Sequence, residues 1–460
     1  MNYLNTLLEL NRLRKQAKFS PERIKKLQDR KLRRLLHYAW EHSAYYRRTF
    51  ELAGITEDQL DTLPLSCFPT MDKQALLTHF DELITLPEVT QEELRKFDEE
   101  IEADRKPYNG KYHVVHSSGS TGKPGYFVYD ENAWNSMLTG IIRAALWNMT
   151  MPQILKLLLK RPRIVYIAAT DGRYGGAMAV GDGIDGVGAK QMYLDIKTPL
   201  NQWMEKLSEF RPNIVIGYPS AVKIMAELVE CGEVKADIEK VISCGEPLGT
   251  GLRNYLEQIF HTEVVNVYGA SESLALGVEM NPKEGMLLFD DLNVIEMESG
   301  VMYLTSLYNF AQPLIRYRLS DHLTLKAADE TDQYPFTRAV GLLGRNEDIL
   351  WFEDGSGHRE FLHPLAIEGF CIEGLKDYQF RQITQDSFEM YAEITAEASK
   401  SMIRSEMMRQ MGRILAEKHL DYVQFYVNFV DEILPDPKTG KKPLILTEGK
   451  EENHEYNLAG

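Results

Sequence analysis

Between residues 113 and 270 the apolar positions switch period repeatedly. Tyr112–His116 is a short β-branched run, followed by a Gly/Ser segment and then by Trp134, Met137, Leu138, Ile141, Ile142 and Ala145 at helical spacing. Arg163–Ala169 is an apolar run that predicts a strand. Helix-like Trp203–Phe210, Ala221–Val229 and Leu252–Phe260 then alternate with strand-like Asn213–Gly217, Val241–Cys244 and Val264–Val267. Strands alternating with helices predict an α/β fold, a mostly parallel sheet with helices packed on it.

The flanks read differently. Residues 1 to about 105 predict helices, with Leu32, Leu35, Leu36 and Ala39 on one face, as a scaffold over one side of the larger unit. Glu88–Lys106 is nearly all polar and acidic, an exposed helix or a mobile connector. Residues 290–345 are strand-rich, with alternation in Val301–Leu304 and His322–Leu325. After residue 346 the order becomes strand (Phe388–Ile394), helix (Met402–Leu415) and strand (Val423–Phe429), a small α+β unit. The expected division is a large domain over 1–346, including a β-rich subdomain, and a small mobile domain over 347–460.

Composition narrows the function classes. Hydrophobic residues are 44% and charged residues 26% of the 460, which excludes a mainly disordered chain. The net charge of −16 argues against a nucleic-acid partner. Cys67, Cys231, Cys244 and Cys371 form no CxxC pair, so reduced core thiols in a cytoplasmic protein are expected rather than a zinc ribbon or disulfide framework. Met1–Lys15 has early charges and no long apolar stretch, so it is not expected to be a signal peptide. No apolar run approaches the roughly 20 residues of a membrane span, so no membrane insertion is expected.

The densest chemistry lies in His116-Ser117-Ser118-Gly119-Ser120-Thr121-Gly122-Lys123-Pro124. Glycines let backbone N–H groups approach an anion, hydroxyls donate further hydrogen bonds, and lysine adds charge, which is phosphate-binding chemistry. It is not GxxxxGK[ST], which needs Gly at Ser117 and Ser or Thr at Pro124, and not GxSxG, which needs Gly at Ser118. Three strand ends are also polar and Gly-containing: Gly217-Tyr218-Pro219-Ser220, Cys244-Gly245-Glu246-Pro247 and Tyr268-Gly269-Ala270-Ser271-Glu272-Ser273. Ligands of open α/β sheets bind beyond such ends, although ordinary turns use the same residues.

Other signals are weaker. Gly181-Asp182-Gly183-Ile184-Asp185-Gly186 spells GxGxxG, but no strand runs into it and no helix opens after it, so a Gly-rich loop near a pocket is the better expectation than a dinucleotide site. His113 with His116, and His358 with His363, do not make HExxH and read as core or surface histidines. Asp321 follows a basic strand, Gly344–Asp348 is a charged connector, and Pro437–Lys442 is a Gly-Lys turn; each taken singly reads as a solvated loop.

Taken in order from about Leu32 to Ile445, these segments resemble the adenylate-forming superfamily of acyl-CoA synthetases, adenylation domains and luciferases, in its phenylacetate–CoA ligase-like branch. The resemblance implies roles. Ser117, Ser118, Gly119, Ser120, Thr121, Gly122 and Lys123 would wrap the ATP β- and γ-phosphates. Gly245, Glu246 and Pro247 would form the adenine-side loop. In the Asn266–Glu272 motif, which includes Gly269, Tyr268 would stack on adenine, Ser271 would contact phosphate and Glu272 would help hold Mg²⁺. Asp321 and Arg345 would meet the ribose. Lys441 would bridge the substrate carboxylate and the α-phosphate, and Glu347 would stand at the hinge, where Asp or Lys is usual. A further departure is Trp351–Glu360, where that branch has a short Gly-Asn-type loop beside the thiol path.

The expected function is therefore ATP- and Mg²⁺-dependent activation of an aryl or acyl carboxylic acid as acyl-AMP. Transfer to coenzyme A, or to the phosphopantetheine of a carrier protein, would follow. Adenylyl transfer to a hydroxyl, an NAD(P)-dependent oxidoreductase and a non-catalytic nucleotide binder are the alternatives. Candidate walls of the acid pocket are Arg173–Gly188, Tyr218–Ser220 and Gly269–Leu276.

Overall fold

The computed structural model describes residues 3–446, apart from 100–105, 117–124, 169, 171–174, 185–188, 196–197, 199, 346–349, 354–358, 363–366, 368–369, 371, 418–419 and 435–441. Three helices open the chain: Tyr3–Gln16, Pro21–His42 and Ala44–Leu52. The second starts at Ser20, whose hydroxyl accepts from the Arg23 amide, with proline at the first helical position. Its Ile24, Leu32, Leu35, Leu36 and Ala39 are buried, the face predicted by the spacing. The acidic connector is a helix, Gln91–Glu99, that buries Leu94. It stays ordered because Asp98 is tied into the body: its Oδ2 lies 3.0 Å from His116 Nδ1 and 3.3 Å from the Tyr126 hydroxyl.

The main sheet has nine strands. In spatial order they are Asp321–Lys326, Arg338–Arg345, Met286–Leu288, Ser273–Glu279, Val264–Ala270, Lys240–Cys244, Ile214–Gly217, Arg163–Ala168 and Lys190–Asp195. The last five are mutually parallel and the others pair antiparallel, so the sheet is mixed. Alternation assigns its two faces. Ile164, Ile214, Ile242 and Val265 point into a core shared with the N-terminal helices and Glu131–Ala145. Val165, Val215, Val241 and Val264 point into a second core under Leu200–Phe210, Pro219–Glu230 and Thr250–Phe260. Asn293–Glu298, Val301–Ser306 and Tyr317–Leu319 form a separate three-stranded sheet.

From Leu350 onward the chain builds its own apolar cluster, which draws its buried residues from Leu350 to Ile445. A four-stranded sheet, in the order Gln424–Val430, Ser387–Ile394, Leu375–Thr384 and Ile445–Leu446, packs against the helix Lys400–Glu417.

Two expectations are corrected. Gly181–Ile184 is no loop: it is the last turn of the helix Gly175–Ile184. Strand Lys190–Asp195 follows, and among the described residues no helix starts there to bind an anion. Nor are the described cysteines buried core thiols. Cys67 ends a 3₁₀ turn and Cys231 caps a helix, and both are exposed; Cys244, at a strand end, is half-buried. Cys371, His358 and His363 lie outside the described residues. Among the described residues no helix is long and apolar enough to cross a membrane.

Candidate active site at the strand ends

Strand Arg163–Ala168 has Lys190–Asp195 on one side and Ile214–Gly217 on the other. The chain therefore leaves it in one direction and returns on its far side. By the rule for open α/β sheets, that reversal puts the ligand crevice beyond the strand carboxyl ends. Gly217, Cys244 and Ala270 end three neighbouring strands there, held in register by Gly217↔Ser243 and Cys244↔Val267.

The crevice floor is backbone packed on backbone. A Cβ on Gly217 would stand 2.1 Å from the Ile167 carbonyl oxygen, so only glycine fits. Gly245 has φ +81°, and a Cβ there would meet the Tyr218 ring at 2.6 Å. Next to it the Glu246 carboxylate accepts from the Ser220 amide at 3.2 Å and the Ser220 hydroxyl at 3.0 Å. This places an anion on the first turn of helix Pro219–Glu230, where the helix dipole favours one. Pro247 follows and is exposed.

The Asn266–Glu272 segment is a strand that turns back at once. Asn266 is buried within it, and Ala270 pairs with Ser273, leaving Ser271 and Glu272 as a two-residue tip. The register shifts between Tyr268 and Ala270, where a Cβ on Gly269 would lie 2.5 Å from the Leu274 carbonyl oxygen. The Tyr268 hydroxyl donates to Asp321 Oδ2 at 3.1 Å. Asp321 pairs in turn with Arg345 across the antiparallel ladder. Tyr268 and Asp321, from distant segments, thus meet at one place, and the backbone partner of Asp321 is Arg345.

The tip is held from two sides. The hydroxyl of Tyr129, a fully buried residue, lies 3.2 Å from the Ser271 carbonyl oxygen and 3.0 Å from that of Glu272. Burial and the neighbouring charges keep this phenol protonated, well above its ordinary value. From below, the Ser273 hydroxyl contacts Asn293 Oδ1 at 3.2 Å and the Tyr308 hydroxyl at 2.8 Å. Tyr129 closes the strand Tyr126–Tyr129, antiparallel to His113–His116. The segment Ser117–Pro124 joins these two strands and lies outside the described residues, as do Glu347 and Lys441. One hydroxyl therefore links the far end of the hairpin that carries the hydroxyl-rich loop to the Ser271–Glu272 tip.

Behind Tyr129, Trp134 donates from Nε1 to Asp182 Oδ2 at 2.8 Å and stacks on the His113 ring at 4.5 Å. Asp182, the acid inside the apparent GxGxxG, thus braces the Trp134 indole from a half-exposed position. Sequence reasoning missed Tyr129. The available signal was its place as the last residue of the apolar strand that follows the hydroxyl-rich loop. Tyr129→Phe leaves two carbonyls without this donor, and the expected loss is about 1–3 kcal/mol of stability, read as a lower urea midpoint.

Comparison with known proteins agrees with this geometry. The AMP-binding enzyme family model matches residues 56–288, half of the chain, from the helical N-terminal part past the Ser271–Glu272 tip. The phenylacetate-coenzyme A ligase of Thermus thermophilus is 23% identical over 401 residues, covering 81% of this chain and 82% of that protein. The one from Pseudomonas putida is 24% identical over 424 residues, covering 85% and 88%. Among solved structures, 2-hydroxyisobutyryl-CoA ligase in its postadenylation state superposes with a TM-score of 0.71 at 19% identity, covering 95% of this chain and 92% of that one. The same ligase in its thioesterification state gives 0.56 at 19% identity, covering 94% and 91%. With the strand-end crevice, the Tyr268–Asp321 contact and the family match over half its length, this chain belongs to the AMP-binding enzymes, in the phenylacetate–CoA ligase-like branch of the adenylate-forming superfamily.

Proposed function

We propose that this protein is an ATP-dependent ligase that activates a small carboxylic acid as its AMP mixed anhydride and passes the acyl group to the thiol of coenzyme A. The observation that carries the reading is the contact of Tyr268 with Asp321 in the strand that leads to the Ser271–Glu272 tip. An aromatic residue and an acid there suit adenine and a ribose diol, and the tip lies where phosphates would follow.

Residue roles follow from that placement. Gly245, Glu246 and Pro247 border the base, and Asp321 accepts from the ribose hydroxyls with Arg345 beside it. Asn266 and Gly269 shape the strand that carries Tyr268. Ser271 donates to phosphate, joined by the backbone, hydroxyls and lysine of Ser117–Lys123. Glu272 suits Mg²⁺, which takes one or two carboxylates and completes its shell with phosphate oxygens and water. Among the described residues no group of three or more His, Cys, Asp or Glu could hold a metal ion. When bound, Mg²⁺ would neutralise phosphate charge. Lys441 then stabilises charge at the α-phosphate as the carboxylate attacks. We place the boundary of the small domain at Glu347, so that Lys441 can leave after adenylation and admit the thiol.

The decisive experiment is pyrophosphate release over a panel of aryl and acyl acids, with coenzyme A, with a pantetheinylated carrier protein, or with neither. Release that depends on one acid, with a coenzyme A thioester as product, is expected. AMP transfer to a hydroxyl with no thioester would replace this reading.

A further inference from the structure

A cluster of six charged side chains lies where helix Pro219–Glu230 meets the hairpin Leu375–Ile394, one turn along that helix from Ser220. Asp377 and Glu393 stand directly opposite each other in the hairpin. Two carboxylates so placed repel and weaken the ladder. Cations of the same C-terminal unit answer part of that repulsion: Lys442 Nζ is 3.5 Å from Asp377 Oδ2, and Lys376 Nζ is 3.8 Å from Glu393 Oε1.

The third cation comes from the large body. Lys223 Nζ is 3.4 Å from Asp377 Oδ2, 3.7 Å from Glu393 Oε1 and 3.9 Å from Glu227 Oε1. Its side chain is only 4% exposed. Burial disfavours its charge, yet Asp377, Glu393 and Glu227 together outweigh burial and hold the amine above its usual value. Lys223 and Lys442 approach the same oxygen of Asp377. Beyond Lys442, Gln379 Nε2 donates to the Pro443 carbonyl at 2.7 Å and the Phe380 amide to the Leu444 carbonyl at 2.8 Å. The segment that begins at Lys442 is therefore fixed to the strand that Lys223 grips.

We propose that Lys223 is a positioning residue for acyl-adenylate formation: it docks the Asp377–Glu393 pair, and with it the strand that holds Lys442–Leu444, on the large body. The inference rests on the ligase reading above. This contact of the seam is ionic, so parting it returns charges to water, which hydrates them. It can therefore hold one arrangement firmly and still release it.

Lys223→Met keeps the length of the side chain and removes its charge. Misplacing a reacting group by about 1 Å costs about 10²-fold, so acid-dependent pyrophosphate exchange should fall by about that factor. The KM for ATP should stay within about threefold, because nucleotide contacts are untouched. Thioester formation from synthetic acyl-AMP and coenzyme A should be unchanged or faster. Lys223→Arg should restore most of the exchange activity. Equal loss in both half-reactions, or wild-type exchange in Lys223→Met, overturns the proposal. Because Lys223→Met also removes a cation from a buried charge cluster, Asp377→Asn is measured beside it and should show the same split between half-reactions. Hydrogen exchange over 375–394 gives a readout that needs no turnover: faster exchange in Lys223→Met supports the dock, and wild-type protection refutes it. If the wild type shows no acid-dependent exchange at all, the ligase reading fails while the dock is still judged by protection.

Discussion

Lys441→Ala is expected to lower acid-dependent pyrophosphate exchange by at least about 10²–10³-fold, the usual cost of removing one group that stabilises transition-state charge. The physical demand is plain. A carboxylate must approach the α-phosphate of ATP within a protein whose net charge is −16. That approach requires cations delivered locally. The fold should survive the substitution. The contacts that fix the neighbouring chain are made by Lys442, Pro443 and Leu444, which the change leaves in place. The thermal midpoint is therefore expected to stay at the wild-type value while exchange collapses. Thioester formation from synthetic acyl-AMP should persist, because the role proposed for Lys441 lies in the first step alone. Wild-type exchange in the variant would remove Lys441 from the mechanism.

The second large effect concerns stability. Arg143 and Asp291 form a buried ion pair with side chains 1% and 0% exposed, and two N–H···O bonds of 2.6 and 2.8 Å. The guanidinium also lies over the Phe289 ring, 4.0 Å from its centroid. Arg143→Ala leaves the Asp291 carboxylate buried without its ion partner, and the expected cost is about 3–5 kcal/mol. Far-UV circular dichroism in urea should show the midpoint shift. Replacing both partners, as in Arg143→Met with Asp291→Leu, is expected to recover most of the loss, because the expense lies in the stranded charge. If the double variant is as unstable as the single one, packing around Phe289 and not charge is what Arg143 provides.

The strands and helices of the parallel region were legible because their apolar period changes sharply and Gly, Pro and Ser mark each turn. Strand Lys190–Asp195 escaped because it is an edge with polar residues and little burial. Leu375–Thr384 escaped because Lys, Asp, Gln and Arg interrupt it, and several of these are used in contacts. Helical spacing found the apolar face of Glu131–Ala145 but says nothing of Arg143, whose partner lies 148 residues away. The candidate site divides the same way. Its loops announce themselves by composition, whereas Tyr129 and Lys223 act on partners 142 or more residues distant. Contacts of that kind are made by tertiary structure, which local pattern does not encode.

The stacked pair of Trp134 and His113 has an optical consequence. The rings lie 5° from parallel, and the Tyr129 ring is 5.7 Å from the indole. Indole emission depends on such neighbours: a stacked imidazole quenches it when protonated, and a nearby phenol feeds it energy. Because Tyr129 also touches the Ser271–Glu272 tip, the enzyme carries an unlabelled fluorophore joined to its proposed nucleotide crevice. Occupancy of that crevice should be readable as a change in ultraviolet emission before any product forms.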